Sequence, residues 1–127
     1  MGTKRVWKWA VAGIATIVIL VTFSISRYQG VILKAREEVL AQNLVAMRGS
    51  IQHYIENKQR APQSLQDLVD AGYFRELPTD PITNSNSSWK PVMGSVVTSH
   101  GRTDHGVADV HSGSNSISLK GTAYGSW

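Results

Sequence analysis

Residues 9–26 read WAVAGIATIVILVTFSIS, a run of eighteen residues without a formal charge. As a helix this run would be about 27 Å long, which is close to the thickness of the hydrocarbon core of a bilayer. Trp7 and Trp9 lie at one end of the run and Tyr28 lies at the other, where amphipathic rings favour the headgroup region. The run therefore predicts a membrane-spanning helix.

Basic residues beside the span predict its orientation. Lys4, Arg5 and Lys8 precede it, and Arg27 follows it. By the positive-inside rule residues 1–8 remain in the cytoplasm and the chain beyond the span is exported. We therefore expect a single-pass protein of a bacterial inner membrane whose C-terminal domain is periplasmic or extracellular.

A cleaved secretory signal peptide is the alternative interpretation of the same run. Ser24 and Ser26 would supply small residues at suitable positions for cleavage. However, the apolar run is longer than a usual signal-peptide core, and the helical pattern continues beyond it. A retained span is the prediction we adopt.

Residues 27–58 continue the helix as its amphipathic half, because no proline occurs before Pro62 and apolar residues recur at helical spacing. The pattern predicts one helix from about residue 6 to about residue 57. We expect residues 47–55 to pack on the chain's own domain and the earlier part to pack on other helices. The predicted assembly interface is Leu33, Glu37, Leu40, Leu44 and Met47.

Residues 59–127 predict a small globular domain. Ser64 followed by Asp67 is typical of a helix N-cap, and Gly72 is typical of the residue after a helix, so a short helix is expected over residues 65–71. Together with the long helix this gives an α+β fold, in which the helix packs on a small antiparallel sheet of about three strands. The expected strands are Trp89–Met93, Ser95–Ser99 and Gly106–Ser112.

The last of these strands has a predicted orientation. In a regular strand Ala108 and Val110 would point to one face, and Val107, Asp109 and His111 would point to the other. In the loop-rich segment that follows, Tyr124 and Trp127 are the expected aromatic anchors.

Charge and cysteine content exclude several functions. The net charge is +4, but from Arg27 onward there are 10 basic and 9 acidic residues, so the exported part is nearly neutral. Nucleic-acid binding is therefore not expected. The chain has no cysteine, which excludes disulfides and thiol chemistry.

Catalytic and metal motifs are also weak. No GxSxG, Walker or HExxH sequence is present, so no enzyme activity is expected. A transition-metal site is the alternative for the imidazole and carboxylate side chains of residues 100–111, but their spacings of five and six residues match no compact ligand motif. Those side chains are His100, Asp104, His105, Asp109 and His111.

The segment SLQDLVDAGYFRELPTDPITN at residues 64–84, and the ending GVADVHSGSN with Gly121–Tyr124 and Ser126–Trp127, resemble the major pseudopilin of type II secretion systems. The plan of a spanning helix, an amphipathic helix and a small sheet is similar to that of type IV pilin-like proteins in general. The resemblance covers most of the chain from Arg36 to Trp127.

Two departures from the resembled family concern the N-terminus and a metal. The family has a leader ending in glycine, followed by an apolar segment with glutamate at its fifth position; here neither Gly2 nor Gly13 is followed by such a glutamate. The family also binds calcium through aspartates near its last tryptophan, whereas here no carboxylate follows Asp109. No cofactor is expected, and the loop should close by hydrogen bonding. The calcium ligands that remain would form only a weak site, since calcium prefers several charged oxygens. They are Asp109, Ser112, Ser114 and Asn115.

The resemblance implies a structural pseudopilin-like subunit of a type II secretion or type IV pilus-type assembly. Its partners would be copies of itself or other pilin-like subunits, the inner membrane and a secreted protein cargo. A membrane-anchored binding module that keeps the fold without polymerising is the alternative, and the absent glutamate favours it.

Overall fold

The structure, a computed structural model, describes residues 2–127 and is an α+β arrangement of one long helix and a small antiparallel sheet. Two compact units divide the chain, one ending at Ala35 and the other comprising Arg36–Trp127. The elements are α1 (Gly2–Lys58), α2 (Gln66–Asp70), β1 (Lys90–Val97), β2 (Thr103–His111) and a 3₁₀ turn at Tyr124–Ser126.

The first unit is the apolar part of α1. One window of eighteen residues has a mean hydropathy of 2.1 and no buried residue, so this helix is long and apolar enough to cross a membrane. Its hydroxyl groups donate to main-chain oxygens one turn earlier, as in Thr16 Oγ1 to Ala12 O at 2.9 Å and Ser24 Oγ to Leu20 O at 2.9 Å. Those polar groups are thus satisfied within the helix, as lipid requires. The predicted single long helix is confirmed.

The second unit has its core between α1 and the elements that follow it. One face of α1 packs with Leu68 of α2, Val107 and Val110 of β2, and Tyr124. The buried residues of α1 are Glu37, Leu40, Leu44, Met47, Ile51, Tyr54 and Ile55. A core of this size matches the expectation for a small domain that uses its own long helix as one layer.

The ends of α1 and of the short helix follow the predicted signals, but the predicted N-cap at Ser64 is wrong, because Leu65 precedes α2 and no side chain caps that helix. Gln59 has φ +54° and ends α1. The Asp67 carboxylate accepts a hydrogen bond from the Gln63 N–H at 2.7 Å, which places an acid at the start of α2. Gly72 has φ +87° and donates its N–H to Val69 O, so its predicted role as the residue after the helix is confirmed.

The predicted sheet of about three strands is wrong, because the part of the chain between residues 2 and 127 contains a two-stranded sheet. The stretches 89–93 and 95–99, predicted as separate strands, together form β1. Gly94 suggested a break, yet it pairs with Gly106, and a Cβ at position 94 would lie 3.3 Å from Ala108 Cβ. Glycine here permits close approach of the two strands, which the sequence alone does not distinguish from a turn.

The predicted orientation of β2 is also wrong. Val107 and Val110 are both fully buried, although strict alternation would place them on opposite faces. Val92 pairs with Asp109 whereas Met93 pairs with Val107. Ala108 is therefore the extra residue of a β-bulge, which restores Val110 to the same face as Val107.

Candidate functional site

Three residues of the predicted assembly interface belong to the core. The side chains of Leu40, Leu44 and Met47 are 0%, 2% and 0% exposed. They pack on the sheet and on Tyr124, so they offer no surface to a second chain. The apolar stripe was correctly located, but its partner is the chain's own domain, because a helix pattern shows which face is apolar and not what covers it.

Glu37, also assigned to that interface, has an internal partner. Its side chain is 8% exposed, and its Oε1 accepts hydrogen bonds from the Leu119 N–H and from the Tyr124 hydroxyl, each at 2.8 Å. Glu37, the polar residue that interrupts the apolar stripe, thus binds the C-terminal segment to α1. A glutamate within such a stripe was the only sequence signal for this contact. Leu33, the remaining predicted residue, is half-buried.

The opposite face of α1 in the second unit is exposed, and we call it the outward face: Val39, Gln42, Val45 and Ala46. Val39 is 45% exposed and Val45 is 70% exposed. Gln42 lies three residues from Val39, three from Val45 and four from Ala46, so these four side chains lie along one side of the helix with Gln42 between the two valines. The outward face is therefore a mixed surface that the chain's own domain leaves open, in which Val39, Val45 and Ala46 are exposed beside the polar Gln42 and Glu38.

Arg48 connects α1 to β2 and to the last described residue. Its Nε lies 2.7 Å from Asp109 Oδ1, and its NH2 donates to Val110 O at 2.9 Å and to the main-chain oxygen of Trp127 at 2.7 Å. His111 Nδ1 contacts that same oxygen. Burial alone would raise the pKa of Asp109, but hydrogen bonds from the Val110 N–H and from Arg48 outweigh burial, so its pKa is lowered.

Of the weak calcium candidates, Asp109 is therefore already paired with a guanidinium, whose positive charge opposes cation binding. The Ser112 hydroxyl donates to Asp80 Oδ2 at 2.6 Å, and Ser114 Oγ accepts from the Ser116 N–H at 3.1 Å. The fourth candidate, Asn115, is exposed. The structure engages Asp109, Ser112 and Ser114 in separate hydrogen bonds.

Asp80 is a buried carboxylate that sequence reasoning did not identify. It is 0% exposed, and besides Ser112 it accepts hydrogen bonds from the Ile82 N–H at 2.8 Å and the Thr83 N–H at 3.3 Å. The carboxylate thus closes the turn in which it lies and fixes the segment after β2. Its position between two prolines suggested only a turn.

The imidazole and carboxylate side chains of residues 100–111 are not assembled into a metal site. Among residues 2–127 no group of three or more histidine, aspartate or glutamate side chains is placed to hold an ion. Asp104 instead accepts hydrogen bonds from the Ala61 N–H at 2.8 Å and the His105 N–H at 2.9 Å, and these two bonds lower its pKa. His100 lies against the Gln59 side chain.

A shallow recess of about 680 Å³ lies beside Arg48, and its lining includes Gln52 and Trp127. Its charged lining residues, Arg48 and Asp109, are bonded to each other. No family model matches the chain, and neither a curated protein nor a solved structure is significantly similar to it.

Proposed function

We propose that this chain is a structural, non-catalytic subunit of a membrane-based assembly of the type II secretion or type IV pilus kind, similar to a pseudopilin. One observation carries the proposal. Within residues 36–127, α1 is covered by its own domain on one face, while its outward face exposes Val39, Val45 and Ala46. A helix that keeps an apolar face uncovered is suited to pack against other helices.

Packing of outward faces would bring small and β-branched side chains together. Ala46 and the neighbouring Gly49 permit two helices to approach closely, and Val39 and Val45 supply apolar area. Gln42, between them, can hydrogen-bond across such a contact. The partners are copies of this chain or other pilin-like subunits, and the rest of the domain is available to a secreted protein cargo. Nucleic acid is not among the proposed partners.

The apolar part of α1 supports anchoring in a membrane, proposed here as a bacterial inner membrane with residues 1–8 in the cytoplasm. Three basic residues lie within ten positions on each side of residues 9–26. The orientation is therefore tested directly. A thiol reagent that cannot cross the inner membrane should label Val97→Cys in spheroplasts without lysis, and labelling only after lysis would reverse the orientation.

Disulfide crosslinking of single-cysteine variants in native membranes tests the assembly. The chain has no cysteine of its own, so each new thiol is the only one. Val45→Cys reports on the outward face, and Val97→Cys is the matched control because the two valines are 70% and 69% exposed. Met47→Cys, at a fully buried position, is the control for unfolding.

Crosslinks at position 45, to a second copy or to another membrane subunit, are the expected result, with little at positions 97 and 47. Equal crosslinking at 45 and 97 would indicate random collision and would contradict a specific helix interface. Crosslinking at 47 would show that the domain opens. A folded protein that stays uncrosslinked at position 45 would remove the support for assembly.

A membrane-anchored binding module is the second candidate, and the absence of any acidic residue from residues 9–26 favours it. In the resembled family a glutamate in the apolar segment contributes to packing between subunits. A chain without that glutamate could present its domain without polymerising. This module would be monomeric or dimeric, and in its monomeric form it predicts no crosslink at position 45.

A further inference from the structure

Two exposed apolar side chains lie in a loop near the C-terminal end of the second unit. Ile117 is 64% exposed and Leu119 is 54% exposed, and the exposed Lys120 follows them. Between them Ser118 is buried, and its hydroxyl accepts from the Lys120 N–H at 3.3 Å and pairs with Thr122 Oγ1 at 2.8 Å. We call residues 117–123 the anchored loop.

The backbone of the anchored loop is held by its own hydrogen bonds. Ile117 and Ala123 form an antiparallel bridge, Ser118 donates its N–H to Thr122 O at 2.8 Å, and Gly121 turns the chain with φ +81°. A glycine suits this left-handed conformation, which other residues rarely adopt. The loop is therefore a fixed turn, and its apolar side chains are exposed in its folded form.

Glu37 holds the anchored loop at one end of the second unit. Its carboxylate binds the Leu119 N–H at 2.8 Å, and Glu37 is the second residue of the unit. The hairpin turn between β1 and β2 lies at the other end, where the Ser99 hydroxyl accepts from Gln59 Nε2 at 2.6 Å. The length of α1 from Glu37 to Lys58 separates these ends by about 30 Å at 1.5 Å per residue. The loop is thus at the end where the chain enters the unit.

The chain between the apolar run and the second unit is short. Residues 27–36 cannot span more than about 35 Å even when fully extended. Whatever the arrangement of the two units, Glu37 therefore stays within about 35 Å of the surface of a membrane that the first unit crosses, and the loop is bound to Glu37. Such a tether also raises the effective concentration of the loop at that surface.

The charges of both segments suit an anionic lipid surface. Residues 27–36 contain Arg27, Lys34 and Arg36 and no acidic residue, and Lys120 is the one charged residue between Ser112 and Trp127. Apolar side chains beside a cation bind at the headgroup boundary of a bilayer. There the apolar side chains enter the acyl region, and the cation contacts lipid phosphate. Val97, which is as exposed as Ile117, lies at the opposite end of the unit and lacks this tether.

We propose that the anchored loop is a lipid-contact site, which docks the second unit on the anionic headgroup layer through Ile117, Leu119 and Lys120. This inference rests on the membrane anchoring in the proposed function and is independent of assembly. One anchored copy is sufficient for it.

A fluorescence experiment on the full-length chain tests the proposal. Ser116→Cys, at an exposed position next to the loop, carries an environment-sensitive dye and leaves the three proposed contact residues unchanged. Val97→Cys carries the same dye as the matched control. The protein is reconstituted at one copy per nanodisc, in phosphatidylcholine with or without phosphatidylglycerol, and nitroxide-labelled lipid serves as quencher.

We expect blue-shifted emission and lipid quenching at position 116 and neither at position 97, with a stronger effect when phosphatidylglycerol is present. In the Ser116→Cys background, Ile117→Ser combined with Leu119→Ser should abolish the quenching. Lys120→Glu should reduce the equilibrium constant for docking about fivefold or more in anionic discs, since each basic residue near such a surface contributes about 1 kcal/mol.

Equal quenching at positions 116 and 97, or quenching unchanged by Ile117→Ser with Leu119→Ser, would overturn the lipid contact. If the dye at position 116 is protected only in vesicles that hold many copies, and is never quenched by labelled lipid, the loop contacts another copy of the chain. That result would also overturn the proposed lipid contact. Crosslinking at position 45 is scored separately, so assembly and lipid contact can fail independently. A chain that does not enter nanodiscs would refute both.

Discussion

The contact between Tyr124 and Glu37 gives a prediction whose size can be worked out. Tyr124 is 1% exposed, and its hydroxyl donates to the Glu37 carboxylate at 2.8 Å. Burial, and then the hydrogen bond and charge of Glu37, raises the pKa of Tyr124 to about 12. The substitution Tyr124→Phe removes the hydroxyl and keeps the ring, including its edge-on contact with Trp127 at a centroid distance of 5.4 Å.

At neutral pH the substitution should reduce the free energy of unfolding by about 1.5–3 kcal/mol, the usual contribution of a hydrogen bond to a charged group. The sign of the pH dependence follows from the raised pKa. An unfolded tyrosine loses its proton near pH 10, whereas the folded one keeps it to about pH 12. The stabilisation by this proton is complete below pH 10 and is lost as pH rises toward 12.

The difference between the parent chain and Tyr124→Phe should therefore shrink by about 1.4 kcal/mol between neutral pH and pH 11, because one pKa unit corresponds to 1.36 kcal/mol. Guanidinium unfolding of the full-length chain in detergent measures this, followed through the fluorescence of the buried Trp89 and of Trp127. Phe at positions 7 and 9 in both variants removes the two tryptophans of the apolar part of α1. Tyr73→Phe is the comparison for a hydroxyl whose partners, His53 O and Asn57, carry no charge.

A destabilisation by Tyr124→Phe below about 0.5 kcal/mol would show that the hydroxyl contributes no more than an ordinary surface group. A larger destabilisation that stays constant up to pH 11 would instead refute the predicted pH dependence. It would mean that the hydrogen bond is stabilising but that the folded and unfolded states bind the tyrosine proton equally.

The remaining predictions concern the two faces of α1 and the loss of stability at low pH. Met47→Ala should cost about 2–5 kcal/mol by leaving a cavity in the core, whereas Val45→Ala on the outward face should change the free energy of unfolding by less than about 0.5 kcal/mol; equal costs would contradict the assignment of the faces. Asp109→Asn should cost up to about 1 kcal/mol at neutral pH, because its pair with Arg48 is partly solvent-screened. Since the pKa of Asp109 is lowered, its contribution is present above about pH 4 and is lost as pH falls further. The parent and Asp109→Asn should therefore converge in unfolding titrations at low pH, and a gap that persists there would contradict the ion pair.

The elements that depend on local sequence could be predicted. An uncharged run and the lack of proline before Pro62 are sufficient to indicate the single helix α1. Gly72 marks the end of α2 because a left-handed residue is required there. The β-bulge at Ala108 could not be predicted in this way, because it depends on the register between two strands and not on either strand alone.

The partners of the buried carboxylates could not be predicted from the sequence either. Glu37 binds Leu119 and Tyr124, which follow it by more than eighty residues, and Asp80 binds Ser112. A single sequence identifies these carboxylates as polar residues in apolar or turn contexts. It does not identify their donors, since those lie on other elements. The outward face of α1 was missed for a related reason, because coverage is a property of the folded domain.

These carboxylates also account for the order of a C-terminal segment that has no acidic residue of its own. Asp109 holds Arg48, which in turn binds the Trp127 main-chain oxygen; Asp80 fixes Ser112; and Glu37 fixes the anchored loop. The negative charges lie outside this segment, and Glu37 and Asp80 accept hydrogen bonds from it directly. The loop is then free to carry Lys120, a charge that would oppose a cation site and that suits an anionic lipid surface.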